Sequence, residues 1–281
     1  MRQPTARRAG LYGAVAAGGF RRYATYGTAT AAGVFTNTVF GFILAYTYIA
    51  LWDERPGLGG YDQSEALTFM WVSQALLAAG ALIGGGFQEE FQERVRTGDI
   101  AVDLYRPADL QAWWLAGDLG RAAFQLLGRG VVPLVIGGLA FQLALPTAPL
   151  RWLLFLVSVF LGLVVSFALR YLLGLAAFWL MDGAGINMMA TVVSIFCSGM
   201  LLPLTVFPGG FGEFVRVLPW AAMLQVPVDV LLGGGGGAGG AGGAARTAGA
   251  LGFQAAWAVV LLGLGRLVQS AATRKVVVQG G

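Results

Sequence analysis

The sequence has no histidine, one cysteine and one lysine, and each shortage excludes a class of site. Without histidine and with Cys197 alone, the 281-residue chain has no internal disulfide, no Cys/His zinc site and no histidine-based catalytic pair. Lys275 lies between Arg274 and Val276, so the chain has no Gly-Lys-Ser/Thr phosphate-binding loop. We therefore expect no cofactor, no metal and no ATP hydrolysis in this chain alone.

Charge is also scarce. Only 11% of the residues are charged, whereas soluble domains carry about a quarter, and 57% are hydrophobic. The mean hydropathy is +0.71. A soluble core of this size would not bury so much apolar surface, but a bilayer takes it in helices of about 20 residues. The net charge of +4 is arranged as arginine clusters between apolar runs, which favours a membrane and not nucleic acid. The composition predicts an all-α integral membrane protein.

Six apolar runs predict six transmembrane helices. They cover residues 28–51, 65–87, 119–145, 150–181, 186–204 and 248–268. Residues 1–27 carry two arginine pairs, Arg7-Arg8 and Arg21-Arg22, on either side of a Gly-rich apolar stretch, which predicts an interfacial helix. A signal peptide and a disordered basic tail are the alternatives, and the second arginine pair stands where a signal peptide would have its cleavage site.

Prolines interrupt the chain after the fifth run. Pro203, Pro208, Pro219 and Pro227 cut 204–232 into pieces too short to cross a bilayer, so we expect an external re-entrant hairpin at 205–232. Residues 233–247 predict a Gly-rich linker, and its nearly continuous glycine run covers 233–243. The GxGxxG matches in that run follow no strand and predict no dinucleotide site.

The arginines also predict the orientation. With the N-terminus inside, only Arg55, Arg151, Arg216 and Arg246 fall in outer loops, and most other basic residues fall at cytoplasmic ends. We expect both termini in the cytoplasm.

The segment 88–118 is the longest charged stretch of the chain. Phe87, Phe91 and Val95 are spaced to share one face of a helix that continues the second span, and Gly98 predicts its C-terminal cap. A solvated loop is the alternative, but connectors of about 30 residues are rare without a function. We expect a docking surface for a soluble partner.

The same segment resembles a known family. Residues 96–107 read RTGDIAVDLYRP, which resembles the cytoplasmic coupling segment of permease subunits of the type 2 ABC exporter family, in a bacterial stand-alone branch. FWLMD at 178–182 resembles the end of that branch's fourth span. LPW at 218–220 and QVP at 225–227 resemble its external hairpin, while the long glycine run departs from it.

The resemblance implies a permease subunit of an ATP-binding-cassette exporter in the bacterial plasma membrane. Its partners would be a second permease subunit, as homo- or heterodimer, and ATP-binding subunits that hold the ATP and Mg²⁺. Short outer loops favour a hydrophobic substrate. The residues expected to contact the ATP-binding subunit are Glu93, Arg94, Arg96, Asp99, Ile100, Asp103, Leu104 and Arg106, with Ile100 and Leu104 filling a groove on it. The residues expected to form the external gate are Pro219, Trp220 and Pro227.

Two arginines lie inside predicted spans. Arg129 and Arg170 have two possible roles. Their side chains could snorkel to the membrane surface or form structural pairs, or they could line the transport path, because ionisable groups inside a membrane are often functional. The alternative function is a secondary transporter or channel without an ATPase partner. Against it, no acidic residue lies in the middle of a predicted span and no inverted repeat is evident.

Overall fold

The computed structural model describes residues 5–180, 183–233 and 242–279. The protein is 83% helical, and no strand occurs in these three ranges. The helices are α1 Thr5–Ala24, α2 Gly27–Glu54, α3 Gln63–Ala79, α4 Gln88–Thr97, α5 Ile100–Tyr105, α6 Leu110–Gln125, α7 Val131–Ala140, α8 Pro149–Leu175, α9 Ala184–Cys197, α10 Gly209–Val217, α11 Gln225–Leu232 and α12 Gly242–Gln279. A π-helical turn, Leu126–Gly130, joins α6 and α7 into one long helix.

Four helices are long and apolar enough to cross a membrane. They cover Gly27–Glu54, Leu110–Ala140, Pro149–Phe178 and Gly243–Arg274. The prediction of an all-helical membrane protein is confirmed, and four of the six predicted spans correspond to such helices. The other two, α3 and α9, have 17 and 14 residues.

The second predicted span, 65–87, differs most from the structure. A capping box starts α3, in which the Glu65 amide donates to Asp62 Oδ1 at 2.8 Å and the Asp62 amide donates to Glu65 Oε2 at 3.0 Å. The helix ends at Ala79, and the glycines at 84–86 all have φ between 80° and 88°. The first left-handed residue after α3 is Ala81, with φ of 50°, and the three left-handed glycines that follow keep α4 separate from α3. The expectation that α4 continues the second span is therefore wrong.

The third span also begins elsewhere than expected. Leu110 starts α6, because Asp109 caps the helix by accepting from the Ala112 amide at 2.7 Å, so residues 110–118 belong to the long helix. The expected linker includes 234–241, which lies outside the described residues, whereas α12 already begins at Gly242.

The core surrounds α3, which is buried along almost its whole length. The Trp71 ring occupies the space over two glycines, since a Cβ on Gly41 of α2 or Gly137 of α7 would overlap it. On the other side, α8 packs against α11 and α12. At the cytoplasmic end of the predicted topology, α1 packs along α6 so closely that a Cβ on Gly120 would overlap the carbonyl oxygen of Ala16.

Candidate coupling surface and buried charge clusters

The predicted coupling segment folds into the two short helices α4 and α5. Gly98 ends α4 with φ of 84°, and its amide bonds to the Val95 carbonyl, so the predicted glycine cap is confirmed. Phe87 and Phe91 are buried and Val95 packs against them, which confirms the predicted apolar face. That face lies on α6 and α8 in an aromatic cluster with Trp114, Phe167 and Tyr171.

Ile100 points into this cluster. It is only 2% exposed and packs with Phe91 and Leu110 inside the chain. The expectation that Ile100 fills a groove on a partner is corrected, since the interior of its own chain already covers the side chain. Leu104 packs on the edge of the same cluster and is half-buried.

Asp103 is buried as well, at the centre of a first charge cluster. Arg94 donates to it from Nε at 2.8 Å and from Nη2 at 3.0 Å, and Arg106 lies 3.0 Å from the same carboxylate. The Arg106 guanidinium also stacks over the Trp113 ring, 4.7 Å from the ring centre. The sequence analysis predicted that Arg94, Asp103 and Arg106 contact a partner subunit. In the structure, their contacts join α4, α5 and α6 to one another.

The outward face of α4 and α5 carries the remaining predicted residues. Arg96 and Glu93 form an exposed pair at 2.5 Å, and Asp99 is exposed beside them. Two apolar side chains that the prediction omitted lie on this face, Val102 and Tyr105, which are 57% and 90% exposed. The spacing that indicates a helical face does not say which face is buried. We call the set Glu93, Arg96, Asp99, Val102 and Tyr105 the outer face.

A second charge cluster lies deeper and was missed from the sequence. Asp118 of α6 accepts from Arg121 Nε at 2.7 Å and from Arg170 Nη2 at 2.6 Å. All three are less than 8% exposed. Arg121 also donates to the carbonyls of Ala78 and Ala79 at the end of α3. Arg170 is thus paired with a carboxylate 52 residues away, and no local pattern in the sequence indicates that partner.

Arg129, the other arginine predicted in a span, is in the π-helical turn. Its Nε has no hydrogen-bond partner in the described part of the chain, and its guanidinium fills the space over Gly33 of α2. Asn37 donates to the Arg129 carbonyl at 3.4 Å and to the Gln74 carbonyl at 3.2 Å, which ties α2 to α3 at this turn.

The predicted gate residues lie in the segment between α9 and α12. Pro219 and Pro227 are buried, and Trp220 donates from Nε1 to Ser194 Oγ of α9 at 3.1 Å. Tyr61 donates to Asp229 of α11, and Gln225 donates to both Tyr61 Oη and Asp229. Burial raises the pKa of the Asp229 carboxyl to about 6, although Tyr61, Gln225 and Arg216 act in the opposite direction.

A cavity of about 240 Å³ lies between Arg170 of the deeper charge cluster and Trp220 of the predicted gate. Its walls come from α8, α9, the segment after α9 and the segment after α3, and they are mainly apolar, with Leu82, Leu169, Leu173 and Met223. Ser166, Ser194 and Arg170 supply the polar groups, and Trp220 borders it on the side of the predicted gate.

The comparisons with known proteins place these features in a family. No curated protein matches this chain. The profile of the ABC-2 family transporter proteins matches residues 34–280, which covers all of the helices from most of α2 onwards. Members of this family are membrane components that work with separate ATP-binding subunits and are not themselves catalytic. This chain is therefore a multi-pass membrane protein that belongs to the ABC-2 transporter family.

Proposed function

We propose that this chain is the permease subunit of an ATP-binding-cassette exporter in a bacterial plasma membrane, with both termini in the cytoplasm. The ATP and Mg²⁺ would be held by the ATP-binding subunits. The observation that carries the proposal is the division of α4 and α5 into a face locked inside the chain and the exposed outer face. A segment anchored in this way transmits a push from a soluble subunit to the helices beneath it.

The outer face has the composition of a docking surface. Tyr105 is a large, nearly fully exposed aromatic side chain, and tyrosine is among the residues that most often contribute a large share of binding energy. Glu93, Arg96 and Asp99 surround it with charges of both signs, which favour one register and one partner more than they raise affinity.

The substrate path is proposed at α9 and the cavity beside it. No residue of α9 is buried within the chain, and its exposed side chains include Met188, Met189 and Phe196. A second permease subunit and lipid would cover this helix. The mainly apolar cavity suits a hydrophobic substrate, and Pro219, Trp220 and Pro227 would close it on the external side.

The coupling role is tested by reconstitution with the ATP-binding subunit, which an adjacent gene for a P-loop ATPase would identify. Val102→Asp and Tyr105→Ala should each weaken co-purification by at least about 30-fold, because a central interface residue contributes about 2 kcal/mol or more. Substrate-stimulated ATPase activity should fall in parallel. Tyr26→Ala is the matched control, since Tyr26 is 65% exposed but lies at the start of α2. Full stimulation and full export in both outer-face variants would contradict the proposal, and export without any ATPase would favour a secondary transporter.

The orientation is tested by cysteine labelling in a Cys197→Ala background. Arg55→Cys, in the loop between α2 and α3, should react with an impermeant reagent from outside, and Asp99→Cys only from inside. Both positions are exposed. External labelling at position 99 would show that the orientation is the opposite of the one proposed and that the outer face is not in the cytoplasm.

A further inference from the structure

A second cavity lies on the other side of the coupling segment, between α1, α4, α5 and α6. Its volume is about 240 Å³, and it opens to the surface beside Arg22, whose side chain is 65% exposed. Gly18 and Gly19 of α1 line one wall, and Trp113 and Trp114 of α6 line another. A space of this size exceeds that of several water molecules, so it admits a polyatomic group.

Both charge clusters border this cavity, the second of them through Asp118 and Arg121, and neither cluster is neutral. Asp103 is shared between Arg94 and Arg106, and Asp118 is shared between Arg121 and Arg170. Each cluster therefore carries one excess positive charge. The third ion pair at the cavity, Arg22 with Glu90 at 2.7 Å, is balanced. Arg170 does not line this cavity, so the wall itself has one positive charge more than it has negative ones.

An excess of positive charge costs free energy where water is partly excluded, because an unpaired cation loses hydration and has no carboxylate to replace it. An anion in the cavity would recover that loss. Arginine is suited to phosphate, since its planar guanidinium donates two parallel hydrogen bonds to two phosphate oxygens.

We propose that this cavity binds one phosphoryl group, either free phosphate or the headgroup of an anionic phospholipid of the cytoplasmic leaflet. Arg22 and Arg106 are the exposed members of the set and would contact the phosphoryl oxygens first. A bound phosphoryl group would hold α1 against α5 and α6. The site would then set how firmly the coupling segment is fixed to the membrane surface.

Arg106→Gln is the discriminating variant. It removes one excess charge, while Asp103 keeps both hydrogen bonds from Arg94, so the segment should stay folded. Arg96→Gln is the matched control, because it removes the same charge from the outward side of α4. The measurement is native mass spectrometry of delipidated permease in detergent. Its probes are short-chain phosphatidylglycerol, the corresponding diacylglycerol and inorganic phosphate.

We expect one phosphatidylglycerol per chain, no specific binding of diacylglycerol, and binding weakened about tenfold or more by Arg106→Gln but unchanged by Arg96→Gln. Equal binding of inorganic phosphate would identify free phosphate as the ligand, and its absence would identify the lipid headgroup. No saturable binding of either probe, or equal loss in both variants, would overturn the site. The assay contains no ATP-binding subunit, so its outcome is independent of the coupling proposal.

Discussion

Replacing Asp118 by asparagine isolates the energetic role of the deeper charge cluster. The substitution keeps the size of the side chain and removes its negative charge. In the described structure, Asp118 is the carboxylate that pairs with both Arg121 and Arg170, at 2.7 and 2.6 Å. Without it, two buried guanidinium groups face each other.

The expected decrease in the free energy of unfolding is large, because removing one partner of a buried ion pair costs about 3–5 kcal/mol. At about 2 °C or more per kcal/mol, Tm should fall by at least about 6 °C. Arg170→Met should lower the free energy of unfolding by less than Asp118→Asn does, since it leaves Asp118 and Arg121 as a neutral pair. Glu90→Gln is the exposed control. Its partner Arg22 is largely in solvent, so the expected cost is about 1 kcal/mol or less.

The assay is the loss of monodisperse protein after heating in detergent, measured by size-exclusion chromatography over a temperature series. The expected order of Tm is wild type and Glu90→Gln highest, then Arg170→Met, then Asp118→Asn. If Asp118→Asn melts within about 2 °C of wild type, or above Arg170→Met, the cluster does not hold the fold as its geometry indicates.

Three further perturbations test separate parts of the structure. Gly120→Val should separate α1 from α6, because even a Cβ there overlaps Ala16, and limited proteolysis should release α1; Gly13→Val, in open space, is the control. Ile100→Asp should lower Tm by burying an unpaired charge, whereas Val102→Asp should leave Tm unchanged. The Asp229 carboxyl has a pKa of about 6 in the folded protein against about 3.9 unfolded, so the folded state binds the proton more tightly. Its contribution to stability is complete below about pH 4 and is lost as the pH rises through 6, so Tm should fall across that range in wild type and stay flatter in Asp229→Asn.

Local features of the coupling segment were predictable from sequence because they depend on nearby residues. The 3.6-residue period of Phe87, Phe91 and Val95 indicates one apolar face whatever lies opposite. Gly98 ends the helix because it adopts the left-handed conformation with little strain. The four long apolar helices follow equally from hydropathy.

Features that depend on distant contacts were not predictable in the same way. Apolar composition continues past the end of α3, so hydropathy alone extended the span to residue 87; the three glycines at 84–86 were the available signal for the break. Ile100 and Val102 are both apolar residues of the same short helix, and only the packing of α6 and α8 against it decides that Ile100 is inside. In the sequence, Asp118 looks like an ordinary acidic residue of a loop, and only the folded structure brings Arg170 beside it.

The position of Asp118 connects the coupling segment to the body of the bundle. The side chain is on α6, its partner Arg170 is on α8, and its other partner Arg121 holds the last carbonyls of α3. Arg170 also packs over the Phe87 ring at the start of α4. In the proposed coupling, a displacement of α4 by a subunit bound at the outer face would act first on Phe87 and Arg170, and then on α6, α8 and, through Arg121, α3. Because this cluster ties α6 to α8 directly and to α3 through Arg121, we infer that these three helices move together at this end, whereas α9, which has no buried residue, has fewer contacts within the chain.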